Sequence, residues 1–300
     1  RLPRAALLLF CLAYVLPGFV GREPWKNADM TAFGYMAELA SGASAWLNPT
    51  LLGRPPEFDA LLPYWLGAWA IMAAPAWLSA DLAARIPFMG LLALALSATW
   101  YAVYYLARSP QAQPVAFAFG GEANPRDYAR AMADGGLLAM IACLGLAQLS
   151  HETTPALAQL AFAALAFFAL AATPWHAVVA AIGLVLGLTG LTLSGAPTMA
   201  VLLGLGSAAV CLVATEQDAQ ARSSNRRWAV FIALATLAVA ILAWGLDLYR
   251  WRVGLPTGAG RDWRSAGRLL LWFTWPAMPL ALWTLWRWRH RLMSRHVSLP

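Results

Sequence analysis

The sequence predicts an all-α, polytopic membrane helix bundle, and three observations carry that expectation. Of its 300 residues 61% are apolar and 12% charged, against roughly 45–50% and 25% in soluble globular chains. Long Ala/Leu/Gly runs recur without period-two alternation. In hydrocarbon every backbone N–H and C=O must be paired within its segment or in a closed barrel, so such runs choose helices. The arginines stand mostly at the ends of those runs, where the positive-inside bias places them. The net charge of +7 is thus read as membrane topology, with membrane lipids as neighbours and no nucleic-acid partner.

A membrane span takes about 20 mostly apolar residues. The pattern places about eight of them, near 5–20, 86–107, 134–150, 155–172, 174–193, 196–214, 228–246 and 267–287. The first run, Leu7 to Val20, follows Arg1 and Arg4 as a signal peptide would. No A-x-A site follows and further spans do, so it reads as a retained helix. Residues 62–79 crowd Pro63, Tyr64, Trp65, Trp69, Pro75 and Trp77 into a short stretch ending at Asp81. That composition suits a helix lying in the interface.

Charge decides the topology. With 62–79 outside, the N-terminus, the 108–132 loop (Arg108, Arg126, Arg130), the 215–227 loop (Arg222, Arg226, Arg227) and the tail (Arg287, Arg289, Arg291, Arg295) share one side, the cytoplasm. Counting 62–79 as a span would move all the later basic loops outside. Four segments then face outward: 21–85, Ser150–Pro155, Ser194–Pro197 and 247–266. Cys11, Cys143 and Cys211 fall inside apolar runs with no CxxC spacing, as small core or lipid-depth residues do.

In the long first outer segment, Met30, Phe33, Ala37 and Ala40 repeat at helical spacing and Gly42 closes the stretch. Asp29 stands at its start, as the N-cap of an amphipathic surface helix would. No phosphate loop, HExxH, GxSxG or CxxC pair occurs, so a site must be built from single residues on loops. Gly21-Arg-Glu-Pro-Trp-Lys-Asn-Ala-Asp puts two acids and two bases just beyond the first helix; interfacial solvation is the competing explanation. Lys26 either neutralises a phosphate beside Asp29 or snorkels to the interface.

Asp29 and its helix, Ser41-Gly42, the run Trp46-Leu-Asn-Pro-Thr-Leu-Leu-Gly53, the acid-containing stretch after it, Pro63-Tyr64-Trp65 and Ala83-Ala84-Arg85-Ile86-Pro87 together resemble the GT-C glycosyltransferases. Within that superfold the chain is most similar to the bacterial lipid A aminoarabinose transferases and protein O-mannosyltransferase-like enzymes. The likeness is strongest over residues 21–108. It implies a bacterial inner-membrane enzyme that takes a sugar from a polyprenyl-phosphate donor and attaches it, with inversion, to a lipid, glycan or protein acceptor at the periplasmic face.

The resemblance carries residue roles as well. Asp29 matches the family's catalytic base, although the acid pair and Thr-Arg usual there read Asp29-Met30-Thr31-Ala32 in this chain. Glu152 in Ser150-His-Glu-Thr-Thr-Pro155 matches a second outer acid; a polar hairpin turn is the bland alternative. Glu57 or Asp59 stands where the family has a Glu-Lys-Pro-like stretch, without its Lys. A departing polyprenyl phosphate needs cations, and 247–266 supplies Arg250, Arg252, Arg261 and Arg264, with Arg268 opening the next helix. Phospholipid headgroups are the competing partner for these arginines. No metal ligand set is identified, although Asp29, His151 and Glu152 would suit a divalent ion if they converged.

Two other functions stay open. A transporter or flippase would carry charged or broken helices near the midplane. A membrane assembly subunit would have no reaction of its own. Family members usually have further helices and an outer C-terminal domain, so residues 1–300 are expected to be the catalytic-side portion of a longer protein.

Overall fold

Apolar runs bounded by proline and glycine dictate most of the helices. The computed structural model describes residues 3–21, 23–24, 26–56, 59–114, 123–213, 219–249 and 261–289. They form α1 (Arg4–Phe19), α2 (Asn27–Ser41), α3 (Leu62–Ala73), α4 (Ala80–Ala107), α5 (Pro125–Ile141), α6 (Leu144–Leu149), α7 (Pro155–Ala172), α8 (Ala177–Leu193), α9 (Pro197–Val213), α10 (Ala219–Gly245), α11 (Arg261–Phe273) and α12 (Ala277–Arg287). No sheet occurs among the described residues; Ala45–Asn48 and Leu51–Arg54 are isolated bridges.

The fold is all-α, and the helices Ala80–Ala107, Pro155–Ala172 and Ser223–Gly245 are long and apolar enough to cross a membrane. The bent pair α11 and α12 makes a fourth if taken as one span. α1, α8 and α9 are apolar but have 16, 17 and 17 residues. At 1.5 Å per residue they reach about 24–26 Å, short of a hydrocarbon core of about 30 Å. α3, with 12 residues, reaches about 18 Å and is too short to cross one.

α4 is the central post, in contact with α1, α2, α3, α5 and α7. Its buried Phe88 and Leu92 meet Phe19 of α1, Met36 and Leu39 of α2 and Leu157 of α7 in one core. A second core joins α7 to α8, α9 and α10 through Leu170, Leu184, Leu188, Cys211 and Ile232. Small residues let the backbones of α7 and α8 approach closely: a Cβ on Gly187 would lie 2.7 Å from the backbone nitrogen of Ala166.

Two expected spans are broken. The helix expected over 134–150 starts earlier, at Pro125, and stops at Ile141, with α6 resuming at Leu144. The one expected over 267–287 is two helices that bend by 96° between Phe273 and Ala277. Pro276 explains the second break, because it has no N–H and its ring clashes with the preceding turn. No proline marks the first. There the Leu144 N–H donates to the Trp275 carbonyl at 3.1 Å, and the Phe273 ring occupies the space beside Gly145. The two breaks satisfy each other. α4 also begins at Ala80 rather than 86, because Asp81 and Arg85 form an i,i+4 pair that extends its first turns.

Substitution at two helical glycines separates packing from propensity. Gly206→Ala, with nothing within 4 Å of the new methyl, should match or exceed wild-type stability, since Ala is the better helix former by about 0.8–1.0 kcal/mol. Gly187→Ala should lose about 1–3 kcal/mol through overpacking. Thermal denaturation of both variants in detergent checks the contrast, and equal midpoints would refute the close α7–α8 approach.

Candidate functional site

The site begins where α1 hands over to α2. Gly21 adopts φ +81, the left-handed region that a glycine enters without strain, and turns the chain toward Lys26, the extended N-cap of α2. Asp29 therefore lies inside the first turn, where a negative charge is favoured by the helix dipole, and is not the N-cap. Its carboxylate turns away from its own helix: Oδ1 accepts the Thr153 N–H at 2.8 Å and the Thr153 hydroxyl at 2.7 Å. The residue is 1% exposed. Oδ2 has no hydrogen-bond partner among the described residues.

The face α2 buries is also rotated from the expected one. Asp29, Ala32, Tyr35, Met36 and Leu39 point inward, while Met30 is 46% exposed. Tyr35 packs on Tyr64 with ring centroids 5.1 Å apart, and Met36 fills the space beside Gly67. These α3 partners set the phase. Gly42 closes the helix in the left-handed conformation, as the sequence suggests.

The turn 150–154 supplies the opposite wall, and every residue in it is buried. Lys26 Nζ lies 3.0 Å from Glu152 Oε1, with the lysine 31% and the glutamate 2% exposed. His151 directs Nε2 at the Tyr14 carbonyl at 2.9 Å and Nδ1 at the Ala147 carbonyl at 3.1 Å. Its ring packs against Tyr14 and Phe19 in space that a side chain at Gly18 would fill. Tyr14 Oη and Ser150 Oγ are 3.1 Å apart. The turn is thus tied to α1 by His151 and Ser150, and to α2 by Glu152 and Thr153.

Asp29, Lys26 and Glu152, far apart in sequence, come together around this turn. Beside them runs a groove of about 900 Å³, lined among others by Asn27, Thr31, Tyr35, Arg54, Tyr64 and Thr154. Asp29 and Glu152 stand behind that lining rather than in it. Asp59 lines a different, smaller cavity of about 210 Å³ with Asn48 and Asp247. Arg264 is exposed on α11, whose far end docks against α6. Glu57, Arg250, Arg252 and the side chain of Arg261 lie outside the described residues. No three His, Cys, Asp or Glu side chains converge as metal ligands among the described residues; the His151 nitrogens are turned to backbone carbonyls instead.

Sequence reasoning missed the role of Arg85. It is 2% exposed, donates from Nη1 to the Phe19 carbonyl at 3.1 Å and lies 3.8 Å from Asp81. A cation at the C-terminal end of α1 meets that helix's negative pole. The i,i+4 spacing of Asp81 and Arg85 was the available signal. No family profile, curated protein or solved structure matches this sequence.

Lys26→Met should leave Glu152 charged and enclosed. Because Lys26 keeps partial access to water, which weakens the pair, the loss is expected to be about 2 kcal/mol, below the 3–5 kcal/mol of a fully buried pair. Adding Glu152→Gln should recover part of that loss. A double-mutant cycle by thermal denaturation checks this; additive effects would show that the pair contributes nothing.

Proposed function

We propose that this chain is a GT-C-type membrane glycosyltransferase that moves a sugar from a polyprenyl-phosphate donor to a lipid, glycan or protein acceptor, with Asp29 as general base. The observation that carries the reading is the state of Asp29. Thr153 holds one carboxylate oxygen with two donors, and the other oxygen, enclosed, has no partner among the described residues. A carboxylate oriented by one atom and unpartnered at the other suits proton acceptance from a hydroxyl placed within hydrogen-bond reach.

In the proposed reaction the acceptor oxygen bonds to the anomeric carbon from the face opposite the phosphate. The bond from that carbon to the phosphate oxygen breaks, its electron pair leaves with the polyprenyl phosphate, and the acceptor proton passes to Asp29 Oδ2. The sugar inverts. Lys26 and Glu152 hold the 150–154 turn against α2 and keep Thr153 in place. Arg54 lies in the groove lining, and Arg261 and Arg264 are the cations assigned to the leaving phosphate. Because Asp29 sits behind the groove wall, the hydroxyl reaches Oδ2 when the lining at Asn27, Ala28 and Thr154 parts.

The membrane arrangement belongs to the same proposal. α1, α8 and α9 serve as short spans beside the three long ones, α3 lies in the interface, and the Asp29 end faces the periplasm of a bacterial inner membrane. Labelling from outside should reach Ala45→Cys and not Asn124→Cys; the reverse would invert the topology.

One observation favours a transporter instead. Transporters build their substrate sites from broken helices, and two breaks meet here where the Leu144 N–H donates to the Trp275 carbonyl. A transfer assay with purified protein and radiolabelled polyprenyl-phosphate sugars separates the readings, since a transporter moves label across the membrane without attaching it.

Asp29→Asn keeps the Oδ1 acceptor for Thr153. Yield should therefore hold while transfer falls by about 10²–10⁴-fold. Wild-type specific activity in that variant would sink the mechanism. In Arg264→Ala, loss of one charge-assisted phosphate contact, typically about 1.5–3 kcal/mol, should weaken donor binding; unchanged donor affinity would assign this arginine to phospholipid.

A further inference from the structure

Where α2 and α7 begin, we infer that the groove of about 900 Å³ is a binding site for the phosphate group of an organic phosphate ester. Asn27 and Ala28, the first two residues of α2, line it, and so do Thr154 and Pro155, the N-cap and first residue of α7. The positive poles of both helix dipoles therefore open on one space. The first N–H groups of a helix have no partner within it, and neither N-cap, Lys26 or Thr154, closes its end with a side-chain hydrogen bond. The site is separate from the arginines assigned to the leaving phosphate, and it does not depend on Asp29 acting as a base.

Two helix ends alone would not make a site, and Thr154 supplies the independent sign of a ligand. It is 8% exposed and lines the groove, and its hydroxyl is enclosed without a hydrogen-bond partner among the described residues. An unpaired buried hydroxyl costs about 1–3 kcal/mol. A threonine at an N-cap ordinarily offsets that cost by accepting an N–H of its own helix, which this one does not do. A ligand oxygen that accepts from the Thr154 hydroxyl would satisfy it.

Charge points to an anion. Arg54 is the one charged residue in the lining among the described residues; it is exposed and has no carboxylate within ion-pair distance there. The nearby acids are engaged with other groups, Glu152 with Lys26 and Asp29 with both Thr153 donors. Donors from α2, α7 and the 51–55 loop surround one space, an arrangement that suits a tetrahedral group with several oxygens, and the guanidinium fork pairs phosphate well. The groove is larger than a phosphate ion, and Leu51 and Tyr64 also line it. The ligand is thus an ester whose organic part meets those side chains.

Isothermal titration of the purified full chain in detergent reads the site without a sugar donor, so its outcome is independent of any transfer assay. The probes are glycerol 3-phosphate and dioctanoyl phosphatidic acid, a lipid that carries the same phosphate monoester. Wild type should bind one or both saturably. Arg54→Gln and Thr154→Val should each weaken that binding about tenfold or more, as expected for losing a hydrogen bond to a charged group, while Thr154→Ser, which keeps the hydroxyl, should retain it. Both affinity patterns uphold the site and separate its sources: about tenfold tighter binding of the lipid assigns it to a headgroup, and comparable affinities assign it to a soluble ester. Absence of saturable binding by wild type, or undiminished binding in Arg54→Gln, would overturn the proposal. Arg54 is exposed, so that variant should fold as wild type does and keeps the test readable if Thr154→Val loses yield.

Discussion

The need to satisfy buried polar groups in the turn 150–154 shapes this half of the molecule. Five consecutive polar residues, Ser150 to Thr154, lie inside the protein, where an unpaired donor or acceptor costs about 1–3 kcal/mol. The partners of Ser150 to Thr153 come from other elements: the Tyr14 carbonyl and hydroxyl on α1, Asp29 on α2 and Lys26 at its cap. Of this turn's hydroxyls, only that of Thr154 has no hydrogen-bond partner among the described residues. α1 and α2 are consequently held against the start of α7 by polar contacts set among the apolar ones. Arg85 adds a fourth tie, from α4 to the last turn of α1.

The same constraint accounts for the geometry of Asp29. A carboxylate at the start of a surface helix would ordinarily cap it. Thr153 offers both a backbone and a side-chain donor, and these outcompete the helix's own N–H groups for Oδ1. The geometry is fixed by residues 124 positions away, so local pattern alone could not show it.

Much of the helical framework was legible in the sequence because its ends carry chemical marks. Pro155 and Pro197 stand at the first positions of α7 and α9, and Gly42 terminates α2 as its freedom at positive φ allows. The breaks at Ala142–Cys143 and Thr274–Pro276 were not legible as a pair. Pro276 hints at one, but the other exists only against its partner. The phase of α2 was missed because Ala-rich helices give weak periodicity, and Tyr64 and Gly67 on α3 decide which side is buried. Asp29, Lys26 and Glu152 were picked out individually as charges in segments flanking apolar runs; their convergence, and the separation of Asp59 from them, are tertiary facts.

The long sequence separation of the Asp29–Thr153 contact bears on how the chain assembles. α2 is complete while Thr153 is still unsynthesised, so until the turn arrives the Asp29 carboxylate has only water to accept from. Loop-closure entropy for such distant residues must be met before the contact rewards it. Within this unit α3, close by in sequence, can dock on α2 early, and the α1–α2–α7 junction closes late. The Asp29 carboxylate can therefore exchange water for its Thr153 donors only once that turn has been made, and its burial reports that the first and middle thirds of the chain have joined.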